Sequence, residues 1–243
     1  MGSNPNLADD VAAIRRTEQA LAEFFSVKRP FSEHLARWED NALPDKYDHN
    51  CFEYSAQPTR EEFERALSHQ RERGDAFIEL EGDVPLQDSF GLSPNVTLTM
   101  QLFGDADAWD ENSEIVIRKP RLEDLKCLEL KHFGSVYGES FTLRNAEHLY
   151  ERLEFRGAYL GDELVGSHYL FTSGGCTCLD GLVVDEGHRH RKIATTLLKH
   201  AVREAAGTVV FLHADEDDTP KEMYEQLGFR TVDRLYEYLS TSI

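Results

Sequence analysis

The run Leu182-Val183-Val184-Asp185-Glu186-Gly187-His188-Arg189-His190-Arg191-Lys192-Ile193-Ala194-Thr195-Thr196-Leu197-Leu198 sets an apolar strand, a short basic turn and an amphipathic helix end to end. Arg189, Arg191 and Lys192 fall in the expected first turn of that helix. A helix start has N–H groups without intrahelical partners and the positive end of the dipole, so the stretch reads as a site for a phosphate or pyrophosphate. The cysteines offer nothing comparable. Cys51, Cys127, Cys176 and Cys178 lack the paired spacing of a zinc site or a disulfide framework and read as free thiols. Cys176 and Cys178 would share one strand face, too little for a metal, and no metal is expected.

The elements that must hold this turn can be read around it. Residues 176–184 form the strand before it. After it, Ile193, Ala194, Leu197, Leu198, Ala201, Val202 and Ala205 make a helical stripe, with Lys199, His200, Arg203 and Glu204 opposite. Upstream lie a strand at 114–118, a helix opened by Pro120 and reaching about 133, and a helix capped by Asn145 that carries Leu149, Leu153 and Phe155. Two strands, 157–161 and 163–172, meet at a Gly161-Asp162 hairpin turn. Downstream come a strand at 209–213, a short helix capped by Asp218 or Thr219 with Pro220 first, a stop at Gly228, and a last strand over 232–239.

The N-terminal part reads as a helix over 7–25, an irregular stretch over 26–58 with Pro30, Pro44 and Pro58, a capping box at Thr59 and Glu62 that opens a helix over 60–73, and strands at 76–81 and 96–103. The acidic stretch 105–112, with Trp109, reads as a solvated connector. It divides the chain into an N-terminal α+β domain, 1–112, and a second domain, 113–243.

A chain of 243 residues with 40% hydrophobic side chains can bury a sizeable core. Its net charge of −19 is uneven, with 10 basic and 23 acidic residues in 1–112. Such a surface repels nucleic acid and anionic membranes, so neither is expected as a partner. No apolar run reaches membrane-spanning length, and the start lacks a basic region followed by an apolar core, so a cytoplasmic protein is expected.

The order strand, helix, helix, three strands, helix, strand, helix, strand over 114–243 resembles the GNAT superfamily of acetyl-CoA-dependent N-acetyltransferases. Val184-Asp185-Glu186-Gly187-His188-Arg189-x-x-Lys192-Ile193-Ala194-Thr195-x-Leu197-Leu198 is similar to its acyl-CoA motif, and Met223-Tyr224-Glu-Gln-Leu227-Gly228-Phe229 to its second motif. The family commonly has glycines where this chain has His190 and Lys192. The resemblance implies an α/β (α+β) fold of GNAT type: a mixed, largely antiparallel twisted sheet flanked by helices, with the additional N-terminal α+β domain. That domain is open to two readings, a degenerate GNAT-like half or an unrelated cap. Without a phosphate-loop pattern it should not bind CoA, and its acidic excess suits a wall for a cationic amine.

The same resemblance implies acetyl transfer from acetyl-CoA to a primary amine by direct attack. The pyrophosphate cradle falls on the backbone of Arg189, His190, Arg191, Lys192, Ile193 and Ala194, with Thr195 beside it, and the backbone of Leu182, Val183 and Val184 pairs with the pantetheine arm. Tyr224 takes the place of the general acid. A base on the strand before the loop would fall at Cys178, so Asp180, two residues on and on the same face, is the first candidate, followed by His168 and Glu139. The acceptor is an amine-bearing small molecule and the protein a monomer or homodimer. The competing reading is a non-catalytic acyl-CoA-binding or interaction module.

Overall fold

The computed structural model describes residues 7–243. The segment 1–6, on which the expectation of no leader partly rests, lies outside the described residues. Compactness sorts the described residues into two interleaved units, one of residues 7–18, 101–213 and 223–230 and the other of residues 19–100, 214–222 and 231–243. They are not contiguous halves.

The unit rich in C-terminal sequence holds the basic turn. Its elements are β6 (Ile115–Arg118), α3 (Leu122–Tyr137), α4 (Glu139–Tyr150), β7 (Glu154–Leu160), β8 (Glu163–Ser173), β9 (Cys176–Val184), α5 (Ile193–Glu204) and β10 (Val209–Asp215). The strands run in the order β10-β9-β8-β7-β6, antiparallel except for the parallel pair β9 and β10, which α5 connects. Leu128, Tyr159, Leu164 and Val183 form one buried cluster, and Ala158, Val165, Ile193 and Leu197 form another under α5. Gly166 of β8 makes that second contact close, because a Cβ there would lie 2.9 Å from the Val183 carbonyl and 3.2 Å from Ile193 and Leu197. The hairpin turns at Gly161, whose φ is +62°.

In the other unit, β1 (Val27–Pro30), β2 (Leu35–Glu39), β3 (Phe52–Tyr54), β4 (Ile78–Gly82) and β5 (Ser93–Leu102) join β11 (Phe229–Ser240) in the order β1-β2-β3-β4-β11-β5. The pairs β1 with β2 and β2 with β3 are antiparallel; β3 and β4 are parallel and joined through α2 (Arg60–Arg73). This is the pattern of β7, β8, β9, α5 and β10 on a smaller scale. The capping box holds: the Glu62 N–H donates to Thr59 Oγ1, the Glu62 carboxylate takes the Thr59 N–H, and Gly74 ends α2 in the left-handed conformation. The core comprises Leu35, Phe52, Tyr54, Phe63, Ala66, Ile78, Leu80, Leu92 and Tyr238.

Four expectations are corrected. The stretch 26–58 is not irregular but carries β1, β2 and β3, strands of 4, 5 and 3 residues, too short for a periodic signal between prolines. Asn145 lies inside α4 rather than capping it; the break falls at Gly138, whose φ of +87° ends α3, and Phe155 belongs to β7. The stretch 105–112 is not a solvated connector, since Trp109 is buried and its carbonyl accepts from Lys199 Nζ at 2.6 Å. Lys199 is therefore buried too, not on an outer face. Finally, α5 begins at Ile193, so Arg189, Arg191 and Lys192 precede the helix instead of occupying its first turn.

Candidate active site

Strand β9 is paired on its two sides over different lengths. Its register with β10 runs from Cys176↔Val209 to Leu179↔Leu212 and goes no further among the described residues, whereas β8 accompanies it to Val184↔Gly166. The β10-side edge of Asp180 to Val184, including Leu182, Val183 and Val184, is thus left without a strand partner. The divergence starts at a bulge: the register shifts between Ser167 and Tyr169, and Gly181 takes φ of +62°. A Cβ on Gly181 would also meet the Tyr169 ring at 2.5 Å. An open strand edge of this kind can pair with an extended, amide-bearing chain.

The edge leads into the basic turn. Asp185 accepts from the Gly187 N–H at 2.9 Å and pairs with Lys131 Nζ of α3 at 2.8 Å. The Lys131 contact, foremost, holds its carboxyl down at about 2. Then follow Arg189, His190, Arg191 and Lys192, all exposed, and buried Ile193, with Ala194 and Thr195 half-buried. His190 and Lys192 have φ of +62° and +60°. The backbone therefore adopts, at the two sites where glycine is common in the resembling family, the conformation glycine favours. Each cation already has a carboxylate neighbour: Arg189 with Glu186 at 3.6 Å, Arg191 with Glu114 at 3.5 Å and Lys192 with Asp110 at 2.7 Å. Such exposed pairs contribute about 0 to 1 kcal/mol each.

At the point where β9 and β10 part, Cys178, Asp180 and His213 converge. The Cys178 sulfur lies 3.9 Å from His213 Nδ1, and Glu18 of α1 (Leu7–Phe25) meets His213 Nε2 at 2.9 Å. Asp180 accepts from the Tyr169 hydroxyl at 2.9 Å and from the Gly181 N–H at 2.6 Å. Burial pushes the Cys178 thiol up. Burial opposes a charged His213 ring, but Cys178 and Glu18 outweigh it and hold the imidazole well above its ordinary value. Neither Cys178, His213 nor Glu18 stood out as a group in the sequence, because they lie on three separate elements.

The other candidates lie on other elements. His168 is 1% exposed, neither ring nitrogen has a hydrogen-bond partner, and burial lowers it to about 4. Its electrostatic neighbours are His200, Arg156 and Glu204, on the α5 side. Glu139 is the exposed first residue of α4. Tyr224, in α6 (Pro220–Gln226), is buried, with its ring edge-on to Phe229 at 6.0 Å.

In this mixed sheet the parallel pair β9 and β10 parts beside a basic turn that leads into α5. Residues 122–229 match the acetyltransferase (GNAT) family. Among curated proteins none matches the sequence at significant similarity. Solved structures share the fold. A conserved protein of unknown function from Staphylococcus epidermidis is 20% identical with a TM-score of 0.75, over 90% of this chain and 95% of that one. A GCN5-related N-acetyltransferase from Kribbella flavida is 13% identical with a TM-score of 0.63, over 94% and 95%. A tandem GNAT protein from the clavulanic acid biosynthesis pathway is 17% identical with a TM-score of 0.55, over 85% and 78%. No helix among the described residues is long and apolar enough to cross a membrane.

Proposed function

We propose that the protein transfers the acetyl group of acetyl-CoA to the primary amine of a small molecule by direct attack. The observation that carries this reading is the fork: β10 leaves β9 after Leu179, and the open edge runs straight into a turn with left-handed backbone at His190 and Lys192. Pantetheine would lie along Leu182, Val183 and Val184, and the pyrophosphate against the N–H groups of 189–194 with Arg191 and Lys192 beside it. The acetyl carbonyl then comes near Asp180. Asp180, held by the Tyr169 hydroxyl and the Gly181 N–H, is the acceptor for the proton lost by the ammonium, ahead of His168, which is buried and lowered to about 4. The neutral amine attacks the carbonyl carbon, the tetrahedral intermediate collapses with loss of its remaining ammonium proton to solvent, and Tyr224 protonates the departing CoA thiolate and regains its own proton from solvent.

The unit containing α2 fits a degenerate GNAT half. The likeness to a tandem GNAT fold and the shared strand pattern support this. Its crossover helix carries Glu62 in the first turn, whose carboxylate accepts from Ser32, Thr59 and His34 and so fills with an internal anion the place where a phosphate would bind. This unit should not bind CoA.

A panel of amines assayed for CoA thiol release tests the reading. One or more amines should be turned over, and Tyr224→Phe should lower kcat by about 100-fold while acetyl-CoA affinity stays the same. Acetyl-CoA binding with no turnover on any amine would instead favour a non-catalytic acyl-CoA-binding module.

A further inference from the structure

We infer that Cys178, Asp180 and His213 form a binding site for a zinc-class divalent ion. Among the described residues, one donor atom from each lies within 4.8 Å of those of the other two. Zinc binds thiolate at about 2.3 Å and imidazole or carboxylate at about 2.0 to 2.2 Å, so a tetrahedral ion sets sulfur and nitrogen about 3.6 Å apart. The Cys178 to His213 Nδ1 separation of 3.9 Å needs an adjustment of a few tenths of an ångström.

The surroundings of these three side chains are those a metal centre uses. A ligating imidazole commonly gives its second nitrogen to a carboxylate, and His213 Nε2 meets Glu18 at 2.9 Å. A ligating carboxylate is itself hydrogen-bonded, and Asp180 is held by the Tyr169 hydroxyl and the Gly181 N–H. The three donors are rigidly placed: Cys178 and Asp180 are two residues apart on β9, and β10, which carries His213, is in register with β9 up to the preceding residue. One sulfur, one nitrogen and one oxygen select zinc or cobalt over magnesium and calcium, which prefer all-oxygen sites. Binding displaces the protons of the thiol and the ring. The protein supplies three ligands, which leaves a fourth position for water or another donor. This donor set stands independently of the acetyl-transfer reading. If both hold, a bound ion engages Asp180 and lowers turnover.

Titration of the reduced, chelator-treated full chain with Co2+ tests the site. One equivalent should produce a near-ultraviolet thiolate-to-cobalt band and the visible bands of tetrahedral cobalt, and Zn2+ should abolish both. Cys178→Ser should remove the near-ultraviolet band, and Cys127→Ser should leave it in place. Glu18→Gln, which removes no ligand, should keep the band but weaken affinity by about 10-fold or more. The inference is overturned if the wild-type chain, with its thiols confirmed reduced, gives no such band, or if the band survives in Cys178→Ser. Should Cys178→Ser fail to fold, an unchanged affinity in both Glu18→Gln and Asp180→Asn overturns it equally. Amine turnover is a separate readout, so failure of the acetyl-transfer reading would not be mistaken for failure of the metal site.

Discussion

His190 and Lys192 hold left-handed backbone with side chains that make that conformation costly. A non-glycine residue there costs on the order of 1 kcal/mol. His190, whose ring is exposed, should therefore be improved by glycine: His190→Gly is expected to raise unfolding free energy by roughly 0.5 to 1 kcal/mol, read from urea denaturation. A loss of stability would mean the imidazole makes a contact outweighing the strain. Asp180 and Tyr224 could be singled out from spacing and resemblance, because strand alternation and the second motif are local. The convergence of Cys178 with His213, 35 positions apart, could not, because it depends on the register of β9 against β10. For His168 the sequence leaves both readings open: its position in an apolar-rich strand admits a buried structural ring as readily as a base.

At the scale of elements, α5 is the device that presents the basic turn, and it lies on a strand that has no side chain at the contact. Gly166→Ala should push against the Val183 carbonyl and Ile193 together, destabilising the protein by about 1 to 3 kcal/mol in chemical denaturation. A change below a few tenths of a kcal/mol would show that α5 shifts freely over β8. Elements with long periodic patterns or strong end signals, such as α1, α2, α5, β9 and β11, were legible because burial of one face writes itself into the sequence. Strands β1 to β3 were not. They are short, and β2 buries Arg37, whose guanidinium donates to the Cys51 carbonyl, so charge stands where an apolar residue would mark the inner face. The break between α3 and α4 was missed for a different reason: Asn145 is a good cap by type, but Gly138 supplies the conformation that ends the preceding helix.

Across the whole molecule, acidic residues are not confined to the surface. Glu81 is half-buried, and desolvation, first, and neighbouring carboxylates raise it to about 8; Glu79, 3% exposed, is also pushed well above its ordinary range by burial and by Glu81. A carboxyl whose folded pKa exceeds its unfolded value costs stability as pH rises from about 4.3 toward the folded value, because the unfolded chain loses the proton first. Glu81→Gln should accordingly gain on the wild type in stability as pH goes from about 5 to 8, measured by denaturation at both; a constant difference would mean Glu81 is ionised in the folded protein. The interleaving of the two units was not legible either, because composition marks a change near 112 while the chain crosses between units several times. One cradle per chain is the central claim of the proposal: the first turn of α5 carries no acidic residue, whereas Glu62 occupies the first turn of α2. Calorimetric titration of the full chain with acetyl-CoA tests it most directly: binding should saturate at one equivalent and weaken about tenfold when Arg191 and Lys192 are both changed to Ala. No binding at millimolar acetyl-CoA, or two equivalents per chain, would contradict it.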